Sequence, residues 1–257
     1  MSTLQSTPQY RLYPAYCFRV SPTFNAWVRM TAADVQALRT EPDFQSQHIY
    51  FHLNHPIRFV RVVGVVVAID DINLRYTVLT LDDGSGANIE VKIVRLTTDI
   101  YNPAESPSNT TIDNVNVISQ PGIFEVTVDH QQVDIGTVIN AKATLSEFRG
   151  AKQLELKRIR IVSTTNEEAQ AWAETAVFKQ ATLSKPWRLT SVEHKKITKE
   201  IKLERKKAQE YERRKVEHDA KKNEQRKARE EYLAQKEAKL EVRRRKENII
   251  MNAGALI

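Results

Sequence analysis

The chain has 257 residues, 39 Lys+Arg against 32 Asp+Glu, and a formal net charge of +7. Residues 191–248 hold 21 basic and 13 acidic side chains, which leaves 18 and 19 for the remainder, so the excess positive charge is C-terminal and does not by itself make the rest a polyanion binder. No stretch approaches the roughly 20 apolar residues of a membrane span, no apolar signal segment opens the chain, and the single cysteine, Cys17, has no mate for an internal disulfide. These features predict a soluble intracellular protein in a reducing compartment, with Cys17 a small buried apolar residue between Tyr16 and Phe18.

Residues 1–54 read as an N-terminal extension. It is aromatic-rich over Tyr10–Phe24 and carries one helix near Thr31–Arg39, where Thr31 can cap and Asp34 follows three residues on. Residues 55–164 are strongly β. Ile57–Asp70 is apolar on both faces, as in a strand buried on both sides or one that passes from one sheet into another, and Gly64 removes a side chain where such a strand must coil or bulge. A turn at Asp71–Asn73, a strand at Leu74–Asp82 and a turn at Asp82–Gly86 follow. Asn88–Ile93 alternates, with Ile89, Val91 and Ile93 on one face. Asn102–Asn109, with two prolines, reads as a loop tip, and Val133–Ser146 and Gln153–Val162 pair across Phe148-Arg149-Gly150. Three meandering strands, a long excursion and a closing hairpin predict a mainly β fold with appended helices: a five-stranded OB-type Greek-key barrel, with an SH3-like barrel as rival.

Residues 165–189 contain a helix over Asn166–Leu183, capped by Thr165 or Asn166, with Glu167 and Glu168 in its first turn and Pro186 beyond its end. Trp172, Ala173, Ala176, Val177, Gln180 and Leu183 recur at three- and four-residue spacing, a single stripe. Residues 190–257 form a charged helical tail, helical to about Asn248 and roughly 85 Å long at ~1.5 Å per residue. Glu210–Arg214, Glu217–Lys221 and Glu241–Arg245 are supportive pairs, and no heptad seam is sustained, so the tail reads as a solvated helix. Its runs Arg213-Arg214-Lys215 and Arg243–Lys246 suit phosphate binding, nuclear import or plain solvation.

No catalytic constellation is present. Asp83-Gly84-Ser85-Gly86-Ala87 lacks the lysine and spacing of a phosphate loop, the six histidines are scattered, and His48-x-x-x-His52 sits in an extended context without a third ligand. A non-enzymatic protein without metal or cofactor is expected.

The run His55–Asp70 (HPIRFVRVVGVVVAID) resembles the first OB strand of the fungal Stn-one family, the telomere-capping subunit of the CST complex. Tyr76–Gly86 (YTVLTLDDGSG) is similar to that family's second strand and Asp-Asp turn, and Gly136–Ile139 and Leu145–Arg149 to its fourth strand and closing turn. The middle subunit of replication protein A shares this turn type. The resemblance, spanning about His52–Trp187, implies a nuclear telomeric protein that binds single-stranded DNA and pairs with a small OB partner, Ten-one, within a complex that includes a larger telomere-binding subunit. It implies that the helix after the barrel packs on the partner, which places Trp172, Ala173, Ala176, Val177 and Gln180 at the interface. No winged-helix segment of the family's kind is legible before Ile257.

An OB surface binds single strands with basic side chains and aromatic platforms. The candidates are Arg75 and Tyr76 on the second strand, Lys92 on the third, Lys142 on the fourth, and Phe148, Arg149 and Lys152 around the last hairpin. Val91, Ile93 and Val94 stand where animal members of the family place a stacking tryptophan. Two alternatives remain open: an interaction module without direct DNA contact, and an RNA-binding OB domain of the translation machinery.

Overall fold

The computed structural model describes residues 10–96 and 108–254, which divide into two compact units at Thr190/Ser191. The predicted loop tip at 102–109 lies mostly outside the described residues.

Ahead of the barrel, a 3-10 turn (Ala15–Val20) is followed by β1 (Val28–Arg29), α1 (Ala32–Gln36), β2 (Arg39–Thr40), β3 (Tyr50–His52) and β4 (His55–Ile57). The aromatic-rich segment closes a satellite core in which Phe18, Ile49 and Phe51 are buried and Leu12, Tyr13, Phe24, Phe44 and Trp187 pack around them. Buried Asn54 ties this cluster together. Its Nδ2 donates to the carbonyls of Arg11 (3.0 Å) and Trp187 (2.8 Å), and its Oδ1 accepts from the Trp187 N–H (2.7 Å).

The barrel comprises β5 (Phe59–Asn73), β6 (Tyr76–Asp82), β7 (Asn88–Val94), β11 (Val138–Phe148) and β12 (Ala151–Ile161). Between β7 and β11 comes an antiparallel sheet of β8 (Val115–Gln120), β9 (Ile123–Val128) and β10 (Gln131–Gln132). Strand β5 is long because it serves two neighbours: Phe59–Val65 pairs with β11 and Val65–Asn73 with β6. Gly64 sits at the handover, where a Cβ would stand 2.7 Å from the Asp82 carbonyl oxygen. The ring closes through β7, whose Glu90–Lys92 runs parallel to Gln153–Glu155 of β12. Strand β1 adds to the outside of β5 in parallel.

Alternation points Val60, Val62, Leu79, Leu81, Ile89, Val91, Ile93, Leu154 and Leu156 inward, and the small Ala141 and Ala143 of β11 let these larger side chains meet. The expected face of Ile89, Val91 and Ile93 is the buried one. Several boundaries differ from expectation. The first strand runs on through Asn73, with the Asn73 carboxamide oxygen accepting from the N–H groups of Arg75 and Tyr76 (2.8 and 3.0 Å), so the turn falls at Leu74–Arg75 rather than Asp71–Asn73. The fourth strand begins at Val138, not Val133, because the Val133 N–H joins the inserted sheet through the Val126 carbonyl (2.8 Å).

The Asp-Asp-Gly-Ser-Gly turn has a structural task. The Asp83 carboxylate accepts from the Ala32 N–H (2.7 Å) and the Ser85 hydroxyl from the Ala33 N–H (3.0 Å), while Thr31 accepts from the Asp34 N–H (3.1 Å). Three otherwise unpartnered donors at the start of α1 are thereby satisfied.

Helix α2 (Thr165–Phe178) extends through a π-helical turn to Leu183. Its cap is Thr164, one residue earlier than expected, accepting from the Glu167 N–H (3.2 Å). In the second unit, α3 (Ser191–Gly254) is a 64-residue helix. Of the three expected pairs, Glu241–Arg245 closes (3.3 Å); the other ion pairs along this helix include Arg226–Glu230 and Arg243–Glu247, in basic-first order. None of the described helices is long and apolar enough to cross a membrane, and no group of three metal-ligating side chains gathers among the described residues.

Candidate nucleic-acid and partner surfaces

The seven side chains expected at DNA do not form one patch. Tyr76 and Lys92 share the outer face of β6–β7, with the Lys92 ammonium 5.2 Å from the Tyr76 ring centroid. Lys92 also lies 3.7 Å from the Glu155 carboxylate. Glu155 is held below the usual carboxylate range, first by the hydrogen bond from Lys157 and further by the nearby charges of Lys157 and Lys92. Beside it, Glu90 accepts from the Gln153 amide (2.8 Å). This face is therefore close to electroneutral. Arg75 stands exposed at the tip of the β5–β6 hairpin.

Phe148 and Arg149 form the tip of the β11–β12 hairpin. Arg149 and Gly150 both have positive φ (50° and 82°), as a two-residue turn between right-twisted strands requires. Phe148 is 55% exposed and carries the Arg149 guanidinium 5.1 Å from its ring, an available stacking platform. Lys152 is already engaged: its Nζ lies 3.0 Å from Glu147 and 5.1 Å from the Tyr50 ring.

Lys142 lies elsewhere. It lines a groove of about 410 Å³ on the outer side of β5, β11 and β12 together with Arg29, Arg61, Arg158, Arg160 and Glu174. These arginines were not singled out from the sequence. Arg158 and Arg160 alternate within the last strand, but only the strand order reveals that they, Lys142, Arg61 and Arg29 are neighbours.

The stripe on α2 resolves into two faces. Ala171, Phe178 and Leu183 turn toward the barrel, where Ala171 packs with Val63 and Val162. Trp172 (50% exposed), Ala173, Ala176, Val177 (63%) and Gln180 all face outward, so only Leu183 of the six expected positions is buried. The helix is anchored on one flank by Glu174, which accepts from Arg61 (2.7 Å) and Arg29 (3.2 Å) and is held below the usual carboxylate range chiefly by the Arg61 hydrogen bond. On the other flank, Trp172, Ala176 and Lys179 line a cavity of about 290 Å³ with Met30 and Val63.

A closed five-stranded barrel whose last strand lies parallel to the third is an OB-fold, the class expected from the sequence over its SH3-like rival. Within that class, residues 4–99 match the family model for the telomere regulation protein Stn1. The Stn1 protein of Schizosaccharomyces pombe is 36% identical over 73 residues, 28% of this chain and 22% of that protein, so the matched segment spans under a quarter of the relative's length. The solved structure of yeast Stn1 and Ten1 is 16% identical and covers 74% of this chain and 91% of that one, with a TM-score of 0.52, which shows a shared fold. A chain of the S. pombe Stn1–Ten1 complex (22% identical, 62% and 96% covered, TM-score 0.45) and one of a replication protein A heterotrimer bound to single-stranded DNA (15%, 62% and 98%, 0.42) are also similar. The resemblance to the Stn1 family read from the strand motifs is thus shown over the first part of the barrel.

Proposed function

We propose that this chain is a subunit of a telomere end-protection complex in the nucleus, that it holds a small OB partner of the Ten1 type on the outer face of α2, and that it contacts single-stranded DNA within that assembly. The observation that carries the reading is the exposure of Trp172, Ala173, Ala176, Val177 and Gln180 on a helix anchored by its other side. A half-exposed tryptophan at the mouth of an apolar cavity is the kind of anchor around which interfaces concentrate their energy. The similarity to Stn1, whose solved yeast relative is paired with Ten1, supplies the partner class. For DNA, Arg75, Tyr76 and Lys92 on one side and Phe148 and Arg149 at the closing hairpin are the proposed contacts, with Lys152 in a supporting position.

The test is co-purification of the full chain with a co-expressed Ten1-type protein. Trp172→Asp with Val177→Asp should release the partner, and Val177→Asp alone, at the more exposed of the two positions, should weaken it without lowering the melting temperature. Undiminished co-purification refutes the partner surface. A second reading, an interaction module that leaves DNA to other subunits, is favoured by the ion pairing of Lys92 and Lys152. Replacing Arg75, Tyr76, Phe148 and Arg149 by Ala separates the two: DNA affinity of the assembled complex falls if the contact is direct and is unchanged if it is not.

A further inference from the structure

Four cationic residues stand in cross-strand register on the outer side of the barrel. Arg29 pairs with Arg61, Arg61 with Lys142, and Lys142 with Arg158. At ~4.8 Å between strands the row spans roughly 14 Å. Like charges directly opposite each other destabilise a sheet, so three such pairs in succession are a cost to the fold. A bulge between Lys142 and Ala143 in the β11–β12 pairing leaves Lys157 and Arg158 both exposed, and Arg160 widens the row at its end. Among the described residues the one carboxylate lining the groove is Glu174, which serves Arg29 and Arg61, while Arg160 pairs with Glu167 (3.3 Å). Among the described residues neither Lys142 nor Arg158 has a carboxylate within ion-pair distance.

Beside the row is an aromatic step. Trp27 and Phe59, two residues ahead of Arg29 and Arg61, sit with ring centroids 5.1 Å apart, and the Arg58 guanidinium lies 5.2 Å from the Phe59 ring. Alternation sets Phe59 on the same outer face as Arg61. A cationic track bordered by partly accessible rings is the combination that binds single-stranded nucleic acid: guanidinium groups grip phosphate bidentately and rings receive bases. An acidic peptide needs the charges but not the rings.

We infer that the row Arg29–Arg61–Lys142–Arg158, with Trp27 and Phe59 at its side, is a binding track for the phosphate backbone of single-stranded DNA, separate from the β6–β7 face and the hairpin tips. The inference rests on the DNA contact proposed above but not on the residues proposed to make it. Glu174 lines the track from one flank of α2, whereas Trp172 and Ala176 line the cavity on its other flank.

The test uses the full chain and a fluorescein-labelled dT20 oligonucleotide, read by anisotropy between 50 and 200 mM salt. Arg61→Gln, Lys142→Gln and Arg158→Gln together should lower the slope of log affinity against log salt by about 2, at roughly 0.7 per phosphate contact on a single strand. Lys142→Gln with Arg158→Gln alone, which leaves the Arg61–Glu174 anchor in place, should melt no lower than the parent, since like-charge repulsion is removed; a purely structural role for these two residues predicts the reverse. An unchanged salt slope overturns the track while leaving the proposed function standing if the four-alanine variant still loses DNA. No dT20 binding by the parent chain, either alone or with its co-expressed Ten1-type partner, defeats both the track and the proposed DNA contact. A labelled poly-glutamate peptide whose binding falls in the variant while dT20 binding does not would assign the row to an acidic protein partner and overturn the inference.

Discussion

Gly64 tests the closure of the barrel directly. Its substitution by alanine would place a methyl carbon 2.7 Å from the Asp82 carbonyl oxygen and 3.0 Å from its carbon. Both are backbone atoms of the paired strand and cannot rotate aside, so β5 and β6 must separate by several tenths of an ångström at the point where β5 passes from one neighbour to the other. Overpacking of this kind costs ~1–3 kcal/mol. Against it stands the ~0.4–1 kcal/mol that a Gly→Ala change contributes by restricting the unfolded chain. The net expectation is a loss of about 1–2 kcal/mol, which for a unit of this size lowers the melting temperature by roughly 2–8 °C. All three tryptophans, Trp27, Trp172 and Trp187, precede Ser191, so the thermal transition of tryptophan fluorescence reports the first unit free of the long helix. Gly64→Ala melting at or above the parent temperature would show that the strands do not approach this closely, because in an uncrowded strand the entropic term alone raises stability.

Two further outcomes follow from the satellite core. Burial lowers the pKa of His55, whose Nε2 lies 2.8 Å from the Lys185 carbonyl oxygen. The unfolded chain therefore binds the proton more readily than the fold does, and stability present above about pH 6.5 is lost as pH falls toward the lower folded value. His55→Gln should flatten urea-derived stability between pH 7.5 and 5.5, leaving the slope that His52, also lowered by burial, retains; an unaltered pH profile rejects His55 as the source. Asn54→Ala removes the partners of the Trp187 N–H and two carbonyls, and should cost ~1–3 kcal/mol with a red shift in tryptophan emission. A variant with the parent's stability and spectrum would mean that Asn54 does not hold the Trp187 segment against the N-terminal cluster.

The local features of the barrel were legible because each has a short-range cause. Strict alternation over Asn88–Ile93 can bury only one face, and glycines at the Asp82–Gly86 turn accept positive φ; the apolar run broken by Gly64 allowed a strand buried on both sides or one shared between two neighbours, and the pairing of β5 with both β11 and β6 decides for the second. The motif resemblance likewise rested on contiguous residues. The inserted sheet was not legible as strands: Val115–Val128 packs Val115, Val117, Val126 and Val128 into the main core only because the barrel offers a surface to cover. On α2, three- and four-residue spacing identified a helix, but which side faces the barrel depended on Val63 and Val162 beneath Ala171.

The candidate surfaces divide along the same line. The exposed tip at Phe148–Arg149 follows from turn chemistry, which is encoded locally, whereas Arg75, expected on the second strand, stands in a turn because β5 runs on through Asn73. The engagement of Lys92 by Glu155 and of Lys152 by Glu147, and the alignment of Arg29, Arg61, Lys142 and Arg158, depend on strand order and register. A sequence specifies how each strand alternates; which charge comes to lie opposite which is decided when the sheet closes, because electrostatic interaction depends on separation in space and the four cations come from four separate strands spread over residues 29–158.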